Sequence, residues 1–178
     1  YSQYSLNLKG ITSPGPRLKK KKFIADFLKS HKPDIIHFQE TKAISSTEVC
    51  RFLHSFGGKC LGISCTDSRS AGVVSFVPKF SSVYELTQEV SAADGRWAHI
   101  SIEAALETHN IINIYSPADG KTEREQFISD FRGFYDLDSL QNLTMVGDWN
   151  FVEHEIDRVS EADNPLTTHP ETLDLFAD

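Results

Sequence analysis

Short runs of apolar, β-branched and aromatic residues recur along the chain and predict eight strands. Each run is five to nine residues long, the usual length of a strand in a globular protein. The runs are 4–8, 34–40, 60–65, 72–77, 82–86, 96–104, 109–115 and 142–147. In 96–104 apolar and polar residues alternate, which predicts a strand with one solvated face.

Three other segments repeat apolar residues at helical spacing, and a fourth begins such a repeat near the end of the chain. They are 19–31, 45–58, 121–137 and 168–178. These helices are interspersed among the strands, but between 60 and 115 one strand follows another. This order argues against a doubly wound parallel sheet and favours two packed sheets with helices on their outer faces.

The composition is that of an ordinary globular domain. The 178 residues suit one domain spanning 1–178, 39% of them are hydrophobic, and no apolar run is long enough to span a membrane. The three cysteines are odd in number and form no C-x-x-C pair, which favours a reducing, intracellular setting. The net charge of −7 argues against binding nucleic acid through bulk charge, but it suits carboxylates that hold a metal beside a phosphate diester.

Polar residues stand at the ends of four predicted strands, where rigid scaffolds present functional groups. They are Asn7, Glu40, Tyr115, Asp148 and Asn150. Taken singly, each is explained as a turn, rim or surface residue. Taken together, the two carboxylates suit a hard cation such as Mg²⁺, and the amides and hydroxyl suit phosphoryl oxygens. The set predicts metal-assisted hydrolysis of a phosphate ester.

The order of motifs resembles a known family over essentially the whole chain. "SLNLKGITSP", "HFQETK", "AGVVSFV", "DGRWAHI", "NIINIYSPADG" and "GDWNFVEHEIDR" follow one another. Together they resemble the endonuclease domain of LINE-type (non-LTR) retrotransposons. That domain belongs to the exonuclease–endonuclease–phosphatase superfamily, with apurinic/apyrimidinic endonucleases and pancreatic deoxyribonuclease.

The resemblance implies an α+β fold, a four-layer α-β-β-α sandwich of two mixed β-sheets. It also implies an endonuclease that uses Mg²⁺, with Mn²⁺ as a substitute, to hydrolyse a DNA phosphodiester. The product would be a nick with a 3′-hydroxyl that primes reverse transcription of the element's RNA. The implied partners are the DNA target, that RNA and a reverse-transcriptase region of a longer polyprotein. The implied domain is monomeric, independent of membranes and active in the nucleus.

The resemblance also assigns roles to the residues at the strand ends. Glu40 would be the metal ligand, and Asp148 would orient or deprotonate the attacking water. Asn150 and Tyr115 would hold the scissile phosphate, and Asn7 would organise the site.

Three further positions keep two interpretations each. Arg158 either reaches a phosphate or forms a structural ion pair with Asp157, and Trp149 either stacks on a base or deoxyribose or packs in the floor of the site. Arg96 is expected to be structural or to lie near the metal carboxylate.

Two features depart from the family pattern. Lys9 stands where many members have an acidic residue, so a single metal at Glu40 is expected, with Lys9 pairing with Glu40 or facing phosphate. The family also has a later Asp and a C-terminal Asp-His pair, which have no counterpart before Asp178. His154 and His169 are poor substitutes, so the 1–178 chain is expected to be C-terminally truncated and inactive alone.

Two alternative functions remain open at this point. One is a superfamily phosphatase that acts on phosphoinositides or sphingomyelin. The other is a catalytically dead remnant that only binds DNA.

Two other features are expected to be structural. His37 within an apolar strand is expected to be a core residue. The basic run 17–22 is expected to be a solvated helix turn rather than a phosphate contact.

Overall fold

The structure is a computed structural model that describes residues 1–11, 14–66, 70–81, 85–104, 106–118 and 120–150. Within these ranges the chain forms eight strands and three α-helices. In chain order they are β1 (Gln3–Asn7), α1 (Pro14–His31), β2 (Ile35–Gln39), α2 (Ser46–Leu53), β3 (Gly58–Ser64), β4 (Val73–Pro78), β5 (Glu85–Ser91), β6 (Trp97–Ala104), β7 (Glu107–Tyr115), α3 (Lys121–Phe134) and β8 (Leu143–Asp148). The helix predicted at 168–178 lies outside the described residues.

The strands form two mixed sheets of four strands each, which confirms the predicted α+β sandwich. The first sheet has the order β1-β2-β4-β3 and the second has the order β5-β6-β7-β8. In each sheet one pair is parallel, β1 with β2 and β7 with β8, and the other pairs are antiparallel. The two parallel pairs carry the four strand ends singled out in the sequence.

Alternating residues of β2 contribute to two separate cores. Ile35 packs with Ile100, Ile102 and Ile111 of the second sheet. Ile36 and Phe38, on the opposite face of β2, belong to a larger cluster with residues of α1 and α2, among them Ile24, Leu28, Val49 and Phe52. A strand whose successive side chains point to opposite faces can therefore be apolar on both, as the continuous run "IIHF" indicates.

The prediction of a solvated face on β6 is wrong. His99 and Ser101, two of the three polar residues of the alternation, are 1% and 3% exposed, and the third, Glu103, is half-buried. Ser101 Oγ donates to Asn110 Oδ1 on β7 at 2.7 Å, and a ring nitrogen of His99 lies 3.1 Å from the same oxygen. Polar side chains can be buried when they form such hydrogen bonds. The alternation of polar and apolar residues therefore did not show that one face of β6 is in contact with water.

The chain divides into two compact units. The first contains 1–115 and 138–148, and so both sheets with α1 and α2. Among the described residues, the second contains 116–118 and 120–137 with Trp149 and Asn150. Its helix α3 buries Ile128 and Phe131, as the helical spacing predicts, but leaves Phe134 exposed. No helix in the described ranges combines the length and the apolar character needed to cross a membrane.

Candidate active site

The parallel strand pairs bring the predicted site residues to common sheet edges. In the first sheet Asn7 stands opposite Gln39, and Glu40 follows directly. In the second sheet Tyr115 stands opposite Asp148. Because parallel strands end at the same edge of a sheet, each pair delivers two polar side chains to one place.

A hydrogen bond joins the two sheets at this edge. Asn7 Nδ2 donates to Asp148 Oδ2 at 2.6 Å, between residues that are 141 positions apart in the sequence. The other end of the same amide, Asn7 Oδ1, accepts a bond from the backbone nitrogen of Lys9 at 2.8 Å. Asn7 is therefore a turn residue and a contact of Asp148 at once, so the two interpretations of its position do not compete.

Glu40 leaves β2 in a strained conformation. Its φ is +52°, in the left-handed region that side chains other than glycine adopt at a cost of about 1–3 kcal/mol. Backbone bonds hold it there: Gly10 N donates to Glu40 O at 2.7 Å, and Lys42 N donates to Ala71 O at 2.7 Å. Strain of this kind is common where a side chain is held for function.

The carboxylate of Glu40 forms an ion pair with a lysine side chain. Lys42 Nζ lies 2.7 Å from Glu40 Oε1, and the glutamate side chain is only 16% exposed. The bond to Glu40 raises the pKa of Lys42. The sequence suggested Lys9 for this pairing, whereas the left-handed turn at 40–42 presents Lys42 instead. In the sequence, the only indication of the Glu40–Lys42 pair is that the two residues stand two positions apart in "QETK".

Tyr115 lies within electrostatic reach of both carboxylates. Burial raises the pKa of its hydroxyl, the charges of Glu40 and Asp148 raise it further, and the charges of Arg96 and Lys42 oppose them. The guanidinium carbon of Arg96 lies 5.3 Å from the centre of the Tyr115 ring, a cation–π distance. The phenol is therefore held protonated, as a hydrogen-bond donor.

Asn150 and Trp149 belong to the second unit. Asn150 Nδ2 donates to Ser116 O at 2.6 Å, and the residue has a left-handed backbone with φ of +53°. Both residues are half-buried. Arg158, the remaining predicted contact with substrate, lies outside the described residues.

The donor set limits which metal the site suits. Among the described residues there is no group of three His, Cys, Asp or Glu side chains placed to hold a metal ion. Mg²⁺ needs no such group, because it binds through one or two carboxylates and keeps its waters and substrate phosphates as the other ligands. Glu40, which holds an ammonium group at 2.7 Å, fits that requirement.

Comparisons with known proteins support the fold. Neither a protein-family model nor a curated protein sequence matches the chain. An AP endonuclease from Archaeoglobus fulgidus is similar with a TM-score of 0.69 and 18% identity, over 99% of this chain and 67% of that one. A 3′ phosphatase from Neisseria, solved with a product DNA hairpin, gives 0.63 and 15%, over 88% and 59%. The endonuclease domain of TRAS1, a telomere-specific non-LTR retrotransposon, gives 0.56 and 14%, over 85% and 60%.

The coverage and the sequence identity limit what these similarities show. The chain spans between 59% and 67% of the length of these three structures. At 14% to 18% identity the likeness shows the fold alone. Function has to be argued from the residues of the site.

Proposed function

We propose that the chain is an endonuclease domain of the exonuclease–endonuclease–phosphatase type that hydrolyses a DNA phosphodiester with Mg²⁺. The nick would carry a 3′-hydroxyl, as in target-site cleavage by a LINE-type retrotransposon. The observation that carries the proposal is the Asn7–Asp148 bond across the two sheets, with Tyr115 and its neighbour Glu40 beside it. The similarity in fold to DNA-processing enzymes supports the same conclusion.

Each candidate site residue of the first unit has a role in the proposed reaction. Glu40 would hold the metal, which when bound offsets the negative charge that develops on the phosphoryl oxygens. Asp148, held by the Asn7 amide, orients the attacking water and accepts its proton. Tyr115 donates its hydroxyl hydrogen to a phosphoryl oxygen, for which its raised pKa keeps the proton in place.

The resemblance to the family assigns three further residues to substrate binding. Asn150 would hold the scissile phosphate through its amide, whose orientation is set by the bond to Ser116 O. Trp149 and Arg158 are proposed to contact the substrate, the first by its ring and the second by its charge. The element's RNA and an attached reverse transcriptase in the nucleus belong to the same proposal.

The proposal is tested by nicking of supercoiled plasmid with Mg²⁺, using the protein at its natural length. We expect Asp148→Asn to lower the rate roughly 100- to 10,000-fold, because it removes the base, and Glu40→Gln to require far more metal. Glu107→Gln is the matched control, because Glu107 is exposed and begins β7 at the end away from Tyr115. Extension of the nick by a DNA polymerase reports the 3′-hydroxyl.

Two results would overturn the proposal. One is nicking that is unchanged by both site variants. The other is release of phosphate from a soluble inositol phosphate by a protein that leaves the plasmid intact, which would favour the phosphatase.

A further inference from the structure

Two buried amide side chains bridge the sheets directly behind the candidate site. Gln39 ends β2 of the first sheet, and Asn113 lies on β7 of the second. Their exposed fractions are 1% and 0%. Gln39 Nε2 donates to Asn113 Oδ1 at 2.7 Å. We call this pair the amide clamp.

The amide clamp reaches three strands of the first sheet. Asn113 Nδ2 donates to two backbone oxygens, Phe38 O on β2 and Val74 O on β4, each at 3.2 Å. Gln39 Oε1 accepts a bond at 3.2 Å from Ser5 Oγ on β1. Gln39 Nε2 also donates to the backbone oxygen of His37 at 3.2 Å. One side chain of the second sheet thereby holds two strands of the first.

The interior between the two sheets is polar near the amide clamp and apolar further along the strands. Ile35 and Ile111, on the same faces of β2 and β7, pack in an apolar cluster. His37, between Ile35 and Gln39, has its own bond to Ser75. Apolar contacts are non-directional and tolerate small displacements of one sheet over the other. Hydrogen bonds weaken steeply with angle and distance, and an unsatisfied buried amide costs about 1–3 kcal/mol. The amide clamp therefore specifies one relative position of the sheets.

Both members of the amide clamp stand next to site residues. Gln39 precedes Glu40 in the chain, and Asn113 lies two residues before Tyr115, on the same face of β7. Asp148 pairs with Tyr115 in the sheet register. A shift of the sheets at the amide clamp would be transmitted to these groups within one or two residues.

We propose that Gln39 and Asn113 are positioning residues that set Glu40 of the first sheet against Tyr115 and Asp148 of the second. The proposal rests on the proposed function for its effect on catalysis. Its geometric part does not, because the amide clamp also aligns the Asn7–Asp148 bond, which can be measured without a substrate.

The test compares two buried amides of the same strand. Asn113→Leu removes the amide clamp, and Asn110→Leu is the matched control. Asn110 is 9% exposed and bonds to Gln141 O at 2.7 Å, five residues from Tyr115. The first readout is the side-chain amide resonance of Asn7, assigned by its change in Asp148→Ala. We expect Asn113→Leu to change this resonance and Asn110→Leu to leave it as in the wild type.

The second readout is the kcat for plasmid nicking. A misplacement of reacting groups by about 1 Å lowers the rate roughly 100-fold, so we expect a loss of about that size in kcat for Asn113→Leu, with little change in KM. The swapped pair Gln39→Asn with Asn113→Gln keeps two amides and should recover part of the loss. If Asn113→Leu does not fold, Gln39→Leu is the milder variant, because it leaves the bonds of Asn113 to Phe38 and Val74 in place.

The outcomes separate the two proposals. If Asn113→Leu and Asn110→Leu change the Asn7 resonance and kcat alike, or if Asn113→Leu changes neither, the amide clamp has no positioning role. If the wild type does not nick DNA while Asn113→Leu alone changes the Asn7 resonance, the positioning role stands and the proposed function fails.

Discussion

At the scale of the residue, the imidazole of His37 is wholly buried within the first sheet. One ring nitrogen lies 2.9 Å from Ser75 Oγ and the other 3.2 Å from Gln3 Oε1. Burial lowers the pKa of His37 from its ordinary 6.5 to about 3. The position is that of a neutral core residue, as the apolar strand around it predicted.

This burial makes stability depend on pH in one direction. Because the pKa is lower in the folded state, the unfolded chain binds a proton first as the pH falls. The contribution of His37 is complete above pH 6.5 and is lost between there and about pH 3, at up to about 1.4 kcal/mol per pH unit. Burial also lowers the pKa of His99, which adds in the same direction.

We expect His37→Gln to weaken this dependence by about one proton. The measurement is the free energy of unfolding by urea between pH 7 and pH 4.5. His54→Gln is the control, because His54 is exposed. Equal slopes for His37→Gln and the wild type would show that His37 does not titrate on unfolding.

At the scale of the element, backbone bonds join the loops that carry the site. Thr41 N donates to Gly72 O at 3.0 Å, and Gly72 N donates to Gly95 O at 3.0 Å. Tyr115 N donates to Arg96 O at 2.7 Å. These bonds connect the ends of β2 and β7 with the starts of β4 and β6, so the loops form one structure and not four separate turns.

Gly72 is the centre of this structure, and we expect Gly72→Ala to disrupt it. Its φ is +113°, and an added Cβ would collide with Thr41 Oγ1, next to Glu40. We expect a loss of about 1–3 kcal/mol in the free energy of unfolding together with weaker metal binding. Gly57→Ala is the control, since Gly57 has φ of +68° but nothing within 4 Å of an added Cβ. Equal losses in the two variants would mean that the collision is unimportant.

The sequence predicted the strands better than their surroundings. Period-two and β-branched patterns are local, so seven of the eight strands were expected within two residues of where they lie. The exception is β5, which was expected at 82–86 and lies at Glu85–Ser91, where "TQE" breaks the apolar pattern. The first helix begins at Pro14 and not at residue 19, because Pro-Gly-Pro resembles a loop although proline is tolerated in a first helical turn.

For the candidate site, the residues were predicted from the sequence but their bonding partners were not. Asn7, Glu40, Tyr115 and Asp148 were found from their places at strand ends. Their partners were not, because the bond between Asn7 and Asp148 depends on two sheets meeting, and the Lys42 pairing depends on a left-handed turn. Neither condition leaves a periodic signal in the sequence. Gln39 and Asn113 were missed for the same reason.

At the scale of the whole molecule, the two-sheet sandwich explains why residues so distant in sequence meet. It does not choose a substrate, since folds host many activities and a site determines which one occurs. The net charge of −7 gives no general attraction for DNA, so the proposed binding would depend on local contacts and on the proposed metal. The proposed function therefore depends on Glu40 holding a divalent cation where the two sheets meet.

The most direct test is a calorimetric titration of the natural-length protein with Mn²⁺, repeated for Glu40→Ala and for the control Glu107→Ala. We expect one bound ion per chain in the wild type and in the control, and loss of that binding in Glu40→Ala. Equal binding by Glu40→Ala, or no binding by the wild type, would contradict it, and the second result would favour a remnant that binds DNA without catalysis.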